Sequence, residues 1–126
     1  MDISADTLSA SLRRRFPVDA ANFIESENLK GPMYNDYNWG GYLMWRLPQR
    51  KVSIDGRTWV HPTEYIERSN RVWSAAPVWR NDAELAAAGF VIGAKGMPLS
   101  AALANDPRFE LAYEDEIAAV YVRRER

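Results

Sequence analysis

Pro32-Met33-Tyr34-Asn35-Asp36-Tyr37-Asn38-Trp39-Gly40-Gly41-Tyr42-Leu43 decides the reading of the fold. A brief apolar run after the Gly31-Pro32 turn predicts a strand that ends on the polar pair Asn35-Asp36. Immediately beyond it, Trp39, Tyr42, Leu43 and Arg46 recur at helical intervals until Pro48 stops them. A strand that hands directly to a helix is the repeating unit of an α/β domain.

Working outward, Pro17, Val18, Ala21, Phe23 and Ile24 predict a preceding helix that closes at Asn28. Lys51-Val52-Ser53-Ile54-Asp55-Gly56 alternates polar and apolar residues before an Asp-Gly turn, which predicts a second strand. Tyr65, Ile66, Ser69, Val72 and Trp73 share one face of a helix running from about Thr63, its expected cap, to Ser74. Asn81 and Glu84 have capping-box spacing ahead of a helix stopped by Gly89. Phe90-Val91-Ile92-Gly93 reads as a third strand, followed by a Gly-Ala-Lys-Gly loop and a helix from Pro98 to just before Asn105. Phe109 to Tyr113 and Ile117 to Val122 flank Glu114-Asp115-Glu116 as a closing hairpin. The expected fold class is therefore α/β: a three-layer, Rossmann-like arrangement with a mainly parallel sheet and a C-terminal antiparallel hairpin. Residues 1–15 are expected to be a linker or flexible N-terminus, and residues 16–126 a single α/β domain.

Composition narrows the function classes. The chain has 126 residues, 47% hydrophobic and 26% charged, with sixteen basic and seventeen acidic side chains and a net charge of -1. Such a balance provides no field to recruit a phosphate backbone, so nucleic acid is not an expected partner. The clearest basic clusters, Arg13-Arg14-Arg15 and Arg123-Arg124 with Arg126, lie near the two ends. Cysteine is absent, which excludes disulfides and thiolate chemistry. Apolar stretches fall well short of the roughly 20 residues that a membrane-spanning helix needs, and the first dozen residues lack the pattern of a secretory signal.

The chemistry-bearing candidates are Asn35, Asp36, Tyr37, Asn38, Trp39, Asp55 and Arg57, grouped at the expected ends of the first two strands. Ligands of open α/β sheets bind beyond such strand ends, and aromatic faces beside carboxylates and amides suit sugars. The same residues also read as helix caps, loop braces and core. Asp36 and Asp55, side by side, form a candidate pair for a divalent cation or for acid-base work, and with Lys95 for a phosphoacceptor switch. His61 is the single histidine and has no ligand-spaced partner, so no metal is assigned. No catalytic residue and no cofactor is assigned either: Gly93-Ala94-Lys95-Gly96 fits neither phosphate-loop spacing, and the serines lack a nucleophile elbow.

Tyr34-Asn35-Asp36-Tyr37-Asn38-Trp39-Gly40-Gly41-Tyr42-Leu43 and Lys51-Val52-Ser53-Ile54-Asp55-Gly56-Arg57 resemble the C-terminal soluble domain of bacterial multi-pass membrane proteins of glycosyltransferase type. Phe16-Pro17 matches the opening of that domain and Asp106-Pro107-Arg108-Phe109 its ending, so the likeness runs from about residue 16 to residue 123. The first segment is also distantly similar to the catalytic subunit of oligosaccharyltransferases, through Asp36-Tyr37 alone. The resemblance implies a non-catalytic accessory domain on the extracytoplasmic side, whose partners are the membrane-embedded region of the same longer protein and a glycan or other acceptor. A free-standing metal-dependent enzyme or phosphoacceptor switch is one alternative. A structural protein-interaction module is another, with the exposed parts of Trp45, Trp59, Trp73 and Trp79 as its docking patch.

Overall fold

The computed structural model describes residues 12–54 and 63–124. A helical turn at residues 12–15 precedes α1 (Val18–Ser26), β1 (Met33–Asn35) and α2 (Gly40–Arg46). Then come α3 (Thr63–Trp73), a 3-10 turn (Pro77–Asn81), α4 (Ala83–Ala87), β2 (Phe90–Ala94) and α5 (Pro98–Leu103). The hairpin β3 (Phe109–Glu114) and β4 (Ala118–Arg123) closes the chain. The α/β class thus holds, as do the strand-to-helix reading at β1 and the closing hairpin.

The sheet itself corrects the expectation. Its order is β1-β2-β4-β3, with β1 and β2 parallel but β4 antiparallel to both β2 and β3. The three-layer, mainly parallel arrangement required a second strand at Lys51–Ile54, and those residues form none. They run beside the end of β1, joined to it through the side chains of Asn35 and Ser53 instead of through a backbone ladder. Alternation reveals which faces a segment presents and is silent about which backbone it meets. With that strand missing, the hairpin contributes half of a four-stranded mixed sheet.

Period-two alternation sends successive side chains to opposite faces. Met33, Phe90, Ile92, Ala118 and Val120 pack with Ala20, Ala21 and Ile24 of α1 and with Trp39, Leu43 and Leu47 around α2. Tyr34, Val91, Ala119 and Tyr121 pack with Val72, Trp73, Leu85, Leu99 and Leu103 from α3, α4 and α5. Two glycines make these contacts possible. A Cβ on Gly93 would lie 2.3 Å from two atoms of the Trp73 ring, which covers that position. A Cβ on Gly89 would lie 2.1 Å from the Lys30 carbonyl oxygen, where the chain leading into β1 crosses the start of β2, and Gly31 beside it has φ +89°.

Helix caps account for a smaller difference. Asp82, one residue after the expected Asn81, caps α4 by accepting from the Leu85 amide at 2.9 Å. Asp82 is also 3.4 Å from Arg68 of α3, so tertiary pairing and capping select the same side chain.

Candidate functional site

Asn35 ends β1 with its side chain fully buried. Its Nδ2 donates to the carbonyls of Asp36 at 2.7 Å and Ile54 at 2.8 Å, while its Oδ1 accepts from the Ser53 amide at 2.7 Å. The Ser53 hydroxyl accepts from the Asn35 amide at 2.9 Å and lies 3.0 Å from Oδ1. One carboxamide therefore does for residues 53–54 what a neighbouring strand would do, presenting a donor and an acceptor side by side. The Asn35 carbonyl accepts from Trp73 Nε1 at 3.2 Å, which ties α3 to the same point.

Asp36 is 1% exposed. One carboxylate oxygen accepts from the Trp39 amide, three residues on and just ahead of α2, at 2.9 Å, and the other lies 3.4 Å from the Ala94 amide at the end of β2. Burial raises its pKa above the usual carboxylate range, and the two backbone amides offset part of the rise. Trp39 is buried, and its indole N–H donates to the Arg15 carbonyl at 3.2 Å, fastening the 12–15 turn onto α2. Tyr37 is half-buried and Asn38 exposed.

Of the seven sequence-derived candidates, Asn35, Asp36, Tyr37, Asn38 and Trp39 thus sit together, at the junction of β1, α2, β2 and residues 52–54. Asp55 and Arg57 lie outside the described residues, as do His61 and Trp59, so the pairing of Asp36 with Asp55 lies outside them too. Among the described residues, no group of three or more His, Asp or Glu side chains is arranged to hold a metal ion. Lys95, in the β2 to α5 connection, lies 3.6 Å from Glu114 of the hairpin.

A second polar cluster, absent from the sequence reading, borders the first. The Tyr65 hydroxyl lies 2.6 Å from the Ser53 carbonyl and 2.6 and 2.7 Å from the two Glu84 carboxylate oxygens. Burial and the neighbouring Glu84 both raise the tyrosine's pKa. Arg68 pairs with Glu84 at 3.2 Å. Tyr65 and Glu84 border a cavity of about 540 Å³, lined also by Met33, Arg50, Lys51 and Ser53 among others. Tyr65 was legible as one face of a helix and Glu84 as a capping residue, but their meeting joins positions 19 residues apart and has no local signature.

With that geometry in hand, comparison with known proteins yields no match among family models, curated proteins or solved structures.

The tryptophans divide sharply. Trp73 and Trp79 are buried at 2% and 7% exposure, whereas Trp45 on α2 is 75% exposed. No helix among the described residues is long and apolar enough to cross a membrane.

Proposed function

We propose that this chain is a non-catalytic accessory domain of a longer, glycosyltransferase-like membrane protein, standing on the extracytoplasmic side and helping to shape the acceptor side of that protein. The observation that carries the reading is the use made of the Asn35-Asp36 pair. The polar atoms of these two side chains are engaged by backbone groups of residues 36, 39, 53, 54 and 94. Such a junction is suited to holding the strand end, the start of α2 and the stretch that leads into residues 55–62 in one fixed relation. A ligand reaching Asn35 or Asp36 must displace those bonds, so among the described candidates any acceptor contact falls to Tyr37 and Asn38. Chemistry would reside in the membrane region, and the reading of a tether and of the compartment rests on the resemblance of residues 16–123 to soluble domains of that class.

The test is fractionation of the source cells with an antibody against this chain, followed by protease treatment of spheroplasts. The reading expects a species much larger than 14.4 kDa, retained in membranes until detergent is added, whose reactive domain is digested from outside. A 14.4 kDa species in the cytosolic fraction contradicts it.

A protein-interaction role has one specific observation in its favour, the exposure of Trp45, and that surface has a chemistry of its own.

A further inference from the structure

Trp45 stands on a continuous aromatic ridge. Phe16 stacks on Tyr42 with ring centroids 5.0 Å apart and planes inclined by 15°, and Tyr42 meets Trp45 at 6.0 Å. Met44, 38% exposed, adjoins Trp45 on α2, and Leu12, 43% exposed, lies one turn before Phe16. The ridge is open on its outer side: Gly41, one helical turn before Trp45, has no atom within 4 Å of the place a Cβ would occupy.

Charge lies beside the rings. The bond from Trp39 to the Arg15 carbonyl and the Phe16–Tyr42 stack hold the Arg13-Arg14-Arg15 turn against the start of α2. Asp19 answers Arg13 at 3.1 Å and Glu25 answers Arg46 at 3.1 Å. Arg14 and Arg15 have no acidic partner among the described residues, so the local balance is cationic although the chain as a whole carries a net charge of -1. A tryptophan and a tyrosine with one wet and one apolar end, a thioether, and arginines that have no acidic partner among the described residues form the combination that a lipid headgroup layer accepts. A deformable interface can receive the exposed Trp45 indole without a preformed pocket, which a folded protein partner must supply.

We infer that the Phe16-Tyr42-Trp45 ridge, with Arg14 and Arg15, docks this domain onto a bilayer surface containing anionic phospholipid. The inference names the partner of the accessory domain and rests on that reading for the presence of a nearby bilayer. Its geometry comes from this surface alone.

Co-sedimentation of the whole chain with vesicles of phosphatidylcholine, alone or mixed with phosphatidylglycerol, tests it. Binding to the mixed vesicles should exceed binding to the neutral ones and weaken as salt is raised. Trp45→Ala should reduce binding by about tenfold, and R14E and R15E by roughly fivefold each. All three side chains are exposed, and circular dichroism melts should show these variants folded like the parent. Equal binding to both vesicle types, binding unchanged in the variants, or no binding at all would overturn the inference. So would a Trp45-dependent dimer, seen by analytical ultracentrifugation, that forms without vesicle binding. Fractionation decides the membrane tether separately, so docking can fail while a membrane-bound parent is still found.

Discussion

At the scale of single residues, Asn35 is the most consequential side chain of the described structure. Replacing it with alanine strands the Ser53 amide and the Ile54 carbonyl, at a cost of about 2–6 kcal/mol, since each orphaned buried group costs roughly 1–3 kcal/mol. Urea titration should show a lower midpoint with an unchanged slope, while Asn38→Ala, at an exposed position three residues on, should stay within about 0.5 kcal/mol of the parent. Asp36 carries a pH signature. Burial raises its folded pKa above the ordinary aspartate value of 3.8, so its contribution to stability is fully present below that value and is lost as pH rises through the folded pKa. The stability of the parent relative to Asp36→Asn should therefore fall on going from about pH 4 to pH 7, because other carboxylates contribute alike to both proteins and cancel. The unusual density of amides and aromatics at residues 35–39 was legible in the sequence. What it is for was not, because the partners of Asn35 stand 18 and 19 residues away.

Elements were legible where a local rule fixes them. Pro98 opens α5, the turn ahead of β1 lies at Gly31-Pro32, and the Glu114-Asp115-Glu116 stretch closes the hairpin, where Asp115 accepts from the amides of Ile117 and Ala118. The direction of the sheet was not legible, because it depends on β4 inserting between β2 and β3, a choice made by long-range packing. Lys51–Ile54 shows the same limit, having strand-like alternation and no strand partner. Packing between elements yields its own prediction. Gly93→Ala would drive a methyl group into the Trp73 ring and should cost about 1–3 kcal/mol, the usual range for overpacking. With Trp73→Leu added, the double variant should lose less than the sum of the two separate losses, a coupling readable from a double-mutant cycle of thermal or urea unfolding. Additive losses would show that the two positions do not meet.

For the whole molecule, the arrangement separates rigidity from exposure. The residues with the most suggestive chemistry, Asn35 and Asp36, are turned inward and join four parts of the chain, while the aromatic ridge that includes Trp45 is turned outward beside arginines with no acidic partner among the described residues. The central claim is that one buried carboxamide replaces a missing strand and welds residues 53–54 to β1. Native-state hydrogen exchange at the Ser53 amide tests this most directly. If the weld exists, that amide exchanges as slowly as the β2 ladder amides, through opening of the whole domain, and loses its protection in Asn35→Ala. Exchange as fast as that of the exposed Asn38 amide in the parent protein would contradict the account.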